Sequence, residues 1–230
     1  MDEKESNLDL GLMYAGGDNY DKAIEYLTLA IQEEIDLEDE IEARSWRSTS
    51  YGQSGMVKEA LTDANWLISH GETQKFRWRA HLKERLKDYQ GAIEDYSHVI
   101  EVDQPPISFE LYLKRGQMYF HTEQFAKAVD DFTVALSLVD YPSLAETIHI
   151  WRGKANVELE HYQAGLDDFQ NAIDLVGFEP HDKFWFCYHR GLARENLGDV
   201  EGAIKDYRFA IIPADHSQAE RVNKLLDSLK

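Results

Sequence analysis

The sequence predicts an all-α chain of six antiparallel helix pairs followed by one closing helix. Three observations predict it. A nine-residue apolar segment recurs six times at near-constant spacing. A second segment, centred on a small residue, precedes each copy by 12 positions. All five prolines fall between repeats or after the last. Self-similarity at such a period means stacked repeats, each too small to bury its apolar face alone.

The nine-residue copies begin at Ala23, Ala60, Ala92, Ala128, Gly165 and Ala203, with spacings of 37, 32, 36, 37 and 38 residues. Their apolar positions recur at i, i+3, i+4 and i+7, the period of one helical face. Each forms helix B of a pair. Helix A carries the small residue: Gly11, Ser48, Ala80, Gly116, Gly153 and Gly191. Small residues let paired axes approach toward the short end of the usual ~8–10 Å. Tyr96, Phe132, Phe169 and Tyr207 fill the space beside them, while Leu27 and Ala64 hold that column in the first two repeats. Repeat 2 therefore reads as under-packed unless Trp66 compensates.

Turn chemistry sets the boundaries. Gly16–Asn19, Gln53–Gly55, Lys87-Asp88, Thr122-Glu123 and Gly198-Asp199 suit the end of one helix and the cap of the next. Pro105, Pro106, Pro142, Pro180 and Pro213 mark later junctions, since proline is excluded from helix interiors. Asp36 and Gly71 serve the early ones. The repeats run over about 4–37, 41–72, 73–106, 109–142, 146–179 and 184–214, and residues 215–229 form a capping helix, all within one domain, 1–230. Ala219, Val222, Leu225, Leu226 and Leu229 give that cap an apolar face.

In repeat 4 the columns read Gly116, Tyr119, Phe125, Ala128, Phe132 and Ala135. With a period slightly above about 34 residues, they make the chain similar to the tetratricopeptide-repeat family. The resemblance implies a right-handed α-solenoid, a superhelix whose concave groove holds an extended or helical segment of another protein. Family members that clamp the acidic tails of heat-shock chaperones present Lys and Asn, then Asn, then Lys and Arg in three successive A helices. No run of three repeats here carries that set, so a chaperone-tail adaptor is not expected.

Five repeats place Arg just before the small residue: Arg47, Arg79, Arg115, Arg152 and Arg190. The same five place Asp fourth in helix B's segment: Asp63, Asp95, Asp131, Asp168 and Asp206. Repeat 1 lacks both. Joint presence and absence predict an Arg–Asp contact inside each repeat, since a guanidinium fork matches a carboxylate.

Composition narrows the function. The chain has 24 basic and 43 acidic residues, a net charge of −19, which repels phosphate backbones and anionic lipid headgroups. Neither nucleic acid nor membrane is an expected partner of so acidic a protein. The N-terminal MDEKESNLDL has no secretory character, and Cys187 is the one cysteine, so a cytoplasmic protein without internal disulfides is expected. The nine histidines form no HExxH or Cys/His cluster, and no Walker loop, dinucleotide fingerprint or nucleophile elbow occurs. No enzyme activity, metal or cofactor is expected.

The family pattern then supplies groove-facing positions on the A helices. They include four of the five tryptophans: Trp46, Trp78, Trp151 and Trp185. With Arg77, His81, Lys114, Gln117, Phe120, Lys154 and Tyr188 these form the candidate groove set. Some of the rings could instead pack between repeats, tryptophan at helical spacing being commonly core. The expected function is a protein-interaction scaffold binding a peptide or helix of a partner protein. The alternative is a self-assembly module, a homo-oligomer without separate ligand.

Overall fold

The computed structural model describes residues 6–102, 108–176 and 183–229. Pro105, Pro106 and Pro180 lie outside them, as do the outermost residues of several repeat boundaries. Among the described residues the chain forms thirteen α-helices, one 3-10 turn and no strand. It divides into two compact units, Met1–Gln104 and Pro105–Lys230.

The first unit holds three antiparallel helix pairs. They are α1 (Asn7–Gly16) with α2 (Tyr20–Gln32), α3 (Leu37–Gln53) with α4 (Val57–Ser69), and α5 (Phe76–Arg85) with α6 (Tyr89–Val102). Side-chain caps start the first three of these helices. Ser6 and Asp9 form a capping box on α1, and Asn19 and Asp36 accept backbone N–H bonds at the starts of α2 and α3. Gly71, at φ +95°, ends the α4 segment, and the 3-10 turn Thr73–Lys75 leads into α5.

The space opposite Ala64 in repeat 2 is filled, though not by Trp66. The Trp66 ring stacks on His70 at 3.8 Å and on the Arg44 guanidinium at 4.4 Å. Trp78 of the next repeat packs against Ala60, Ala64 and Leu82 instead. Its indole N–H donates to the Ser48 hydroxyl at 2.9 Å, and that hydroxyl donates to the Ala60 carbonyl at 2.8 Å.

The second unit holds α7 (Phe109–His121) with α8 (Phe125–Leu138), α9 (Pro142–Glu158) with α10 (Tyr162–Val176), and α11 (Lys183–Asn196) with α12 (Val200–Ile211). The closing helix α13 (His216–Ser228) opens on an Asp215–Gln218 capping box. It seats Val222, fully buried, with Leu225, Leu226 and Leu229 against the α11–α12 core. Pro142 stands in the first turn of α9, where its missing N–H costs nothing.

The small-residue column works as expected. A Cβ placed on Gly116 would lie 2.7 Å from the Phe132 ring, and one on Gly191 would lie 2.6 Å from Tyr207. Phe132 and Tyr207 are fully buried there. The Tyr207 hydroxyl donates to Glu195 at 2.6 Å, and burial together with that carboxylate pushes its phenol up.

All five predicted Arg–Asp contacts are present, each joining helices A and B of one repeat across 16 residues. Arg47 grips Asp63 through Nε and Nη2, both at 2.8 Å. Arg79 and Asp95, and Arg115 and Asp131, are held by the same two-point contact at 2.8 and 2.7 Å. Arg152–Asp168 and Arg190–Asp206 complete the set. Second cations reinforce some pairs: Arg44 on Asp63, Lys83 on Asp95, Arg194 on Asp206.

Candidate functional site

Each unit presents A-helix side chains. In the second unit these converge on a cavity of about 470 Å³. That volume suits a bound side chain with its flanking backbone. Spacing along the helices explains the convergence. On α9, Trp151, Lys154 and Glu158 fall at i, i+3 and i+7, one helical face. On α11, Trp185, Tyr188 and His189 fall at i, i+3 and i+4. Phe120 and His121 close the end of α7, Glu123 and Phe125 come from the turn into α8, and Arg221 reaches in from α13.

The walls are aromatic and mutually braced. Phe120 meets Trp151 edge-on at 5.4 Å and Phe125 at 5.3 Å, and Trp185 meets Tyr188 edge-on at 5.8 Å. Two ring faces carry cations of the chain itself. Lys154 Nζ lies 4.6 Å from the Trp151 centroid, and the Arg221 guanidinium 4.7 Å from that of Tyr188. Burial pushes the Tyr188 phenol up, with Arg221 pulling the other way.

His189 sits at the base of the site, 3% exposed. Its Nδ1 is 2.7 Å from the Trp185 carbonyl, and its Nε2 is 3.3 Å from a Glu158 oxygen. A carbonyl only accepts, so Nδ1 carries the hydrogen in that contact. The His189 contact holds the Glu158 carboxyl below its ordinary value, against the cost of its partial burial.

Five of the eleven candidate residues thus come together: Phe120, Trp151, Lys154, Trp185 and Tyr188. Lys114 and Gln117 lie half-buried on α7 and are not among the lining residues. The other four belong to the first unit. Trp46 is 41% exposed on α3. Trp78 is packed between repeats, as described above. His81 stands 5.8 Å from the Trp78 ring, and exposed Arg77 borders a separate cavity of about 300 Å³ with Gln74, His98 and Val102.

Six lining residues fall outside the candidate set. Glu158 and His189 carry a usable signal, since each extends a named face by one turn. Glu123 and Phe125 belong to a turn and a helix start, and His121 ends its helix. Arg221 has no repeat column at all, because the closing helix has no counterpart in the repeats.

Among the described residues, no group of three or more His, Cys, Asp or Glu is arranged to hold a metal ion, and no helix is long and apolar enough to cross a membrane.

Comparison with known proteins follows the same lines. Sequence models of the tetratricopeptide repeat match residues 79–145 and 5–34. The human tetratricopeptide repeat protein 13 is 31% identical over 146 residues, covering 60% of this chain. The matched part spans 16% of that relative's length. Among solved structures, YrrB, titled a TPR protein with an unusual peptide-binding site, aligns with a TM-score of 0.65 at 16% identity, over 88% of this chain and 100% of that one. MamA from Desulfovibrio magneticus RS-1 aligns with a TM-score of 0.63 at 18% identity, over 75% of this chain and 94% of that one. The Cut9–Hcn1 assembly of the APC/C aligns with a TM-score of 0.61 at 15% identity, over 95% of this chain and 42% of that one. At these identities the structural likeness speaks for the fold.

Proposed function

This chain belongs to the tetratricopeptide-repeat family, and we propose that it is an interaction scaffold that holds a peptide segment of a partner protein in the aromatic pocket of its second unit. The observation that carries this reading is the pocket itself. Four A-helix aromatics, Phe120, Trp151, Trp185 and Tyr188, wall one cavity of peptide-side-chain size. Buried aromatic anchors with a polar rim are where binding energy concentrates in protein interfaces. No catalytic step and no cofactor is assigned to the chain, and a cytoplasmic setting accords with its one buried cysteine, Cys187.

The test is selection of binding peptides from a random display library on the full chain, followed by calorimetry. Phe120→Ala and Trp185→Ala should each weaken the selected peptides about tenfold or more, with the helical circular dichroism signal retained. Unchanged affinity in both variants refutes the pocket as the docking site.

A second reading is self-association. Phe209 and Ile212, one turn apart at the end of α12, are 52% and 78% exposed. Light scattering over a range of concentrations decides it: a dimer abolished by Ile212→Asp supports self-assembly, and a strict monomer removes it.

A further inference from the structure

The pocket's charge chemistry narrows what can enter it. Two cations and two carboxylates line it, in a chain with 24 basic and 43 acidic residues. The site is therefore locally enriched in positive charge. Its carboxylates are also unequally available. Glu158 is already answered by His189 at 3.3 Å, while Glu123 lies exposed in the turn before α8. Two of the aromatic rings that would attract an incoming ammonium already carry a cation, Lys154 on Trp151 and Arg221 on Tyr188. A ligand cation would meet like charge at both rings. An incoming carboxylate meets Arg221, whose side chain is exposed and whose guanidinium offers five donors in a fixed fork.

We propose that the pocket takes an apolar side chain of a partner peptide together with an adjacent carboxylate, and that Arg221 of the closing helix reads that carboxylate. The proposal rests on the peptide-binding reading above. It gives α13 two roles. Val222 seals the last repeat, and Arg221, its neighbour in sequence, completes the site. Arg221 is exposed and Val222 fully buried, so the two roles separate by mutation.

The experiment uses the full chain and three labelled peptides sharing one aromatic anchor, flanked by Asp and Glu, by Ser, or by Lys. Anisotropy is read at physiological salt, where the Debye length of about 8 Å screens the general repulsion from the chain's net negative charge. The acidic peptide should bind about tenfold more tightly than the lysine peptide. Arg221→Ala should erase that preference, and Arg221→Glu should reverse it, both with an unchanged melting transition. Equal or tighter binding of the lysine peptide overturns the proposal, and so does a preference that survives Arg221→Ala. Binding of all three peptides that depends on Trp185 but not on Arg221 leaves the peptide-binding reading standing and removes this one. Failure of every peptide to bind removes both.

Discussion

Removing Arg115 should destabilise the second unit far more than removing Arg152, although the two occupy the same repeat column. The difference lies in what each Asp keeps. Asp131, with a side chain 7% exposed, has Arg115 as its cation through two hydrogen bonds of 2.8 and 2.7 Å. Burial already pushes its carboxyl up, past what Arg115 pulls down, and neighbouring Asp130 adds to the rise. Without Arg115 the carboxylate is buried and unpaired. The cost of breaking such a pair is about 3–5 kcal/mol. It is bounded, because the group can escape by taking a proton. Neutralising a carboxyl of ordinary value 3.8 at pH 7 costs about 4 kcal/mol at 1.36 kcal/mol per unit. The expected loss for Arg115→Ala is therefore about 3–4 kcal/mol at pH 7. At pH 5 the electrostatic part is capped near 2 kcal/mol by the same arithmetic.

Asp168 is placed differently. With Arg152 gone it still accepts from His149 Nδ1 at 2.8 Å and Asn156 Nδ2 at 3.1 Å. Arg152→Ala should cost about 1–2 kcal/mol, the worth of a charge-assisted bond whose acceptor stays satisfied. Urea unfolding followed by far-ultraviolet circular dichroism measures both. Hydrogen exchange should place the Arg115→Ala loss in α7 and α8. The double variant Arg115→Ala/Asp131→Ala should recover much of it, since it leaves no orphaned charge. An Arg152→Ala loss equal to or above that of Arg115→Ala refutes the reasoning, as does an Arg115→Ala loss that does not shrink at pH 5.

Four further outcomes follow from the geometry. Gly116→Ala should cost about 1–3 kcal/mol by overpacking, because its Cβ would lie 2.7 Å from the buried Phe132 ring; melting temperature checks it. Glu160→Gly should stabilise by up to about 1 kcal/mol, read from chemical denaturation, since Glu160 holds φ +62° and only glycine takes that region without strain. Trp78→Ala should cost about 3–5 kcal/mol while Trp46→Ala stays within about 0.5 kcal/mol, because one ring is packed against the preceding repeat and the other is 41% exposed. Acid titration should separate the two aspartates. Asp168 is held below 3.8 by His149 and Arg152 despite its burial, so it contributes stability above its ordinary value that is lost as pH falls through its lowered one. Asp131 is raised, so its ionisation opposes folding and stability recovers as pH falls through its folded value. Asp168→Asn should therefore flatten the acid limb of the stability curve, and Asp131→Asn should not.

The helix pairs were legible because glycine and aromatic columns repeat together, and a column can be checked six times. Five of the six turns between A and B helices were legible from clusters of Gly, Asx and Thr. Gly55 and Gly198 take positive φ, and so do Asp18, Lys87, Glu123 and Glu160 at the equivalent turn positions. The backbone demand recurs with the repeat, but the residue answering it does not, and the turn at Glu160, which has neither glycine nor Asx beside it, is the one the sequence left unmarked. Arg221 was illegible for a related reason. Its helix occurs once, and a single amphipathic helix shows which face is buried without showing what its neighbouring residue touches.

The tryptophans show what the column reading lacked. Trp46, Trp78 and Trp151 each stand two residues before their repeat's small residue, yet they have different environments. What separates Trp78 from Trp151 is the residue four places after the small residue of the preceding repeat. For Trp78 that residue is Gly52, where a Cβ would lie 2.7 Å from the ring, so the indole lies against the backbone of α3 and bonds Ser48. For Trp151 it is Phe120, whose ring meets the indole edge-on at 5.4 Å and holds it at the cavity wall. Both indoles pack on the core of the preceding repeat, and the glycine-for-phenylalanine exchange between two A helices accompanies the one that also lines a cavity. Reading single columns finds the scaffold. Reading pairs of columns across neighbouring repeats finds where the scaffold opens.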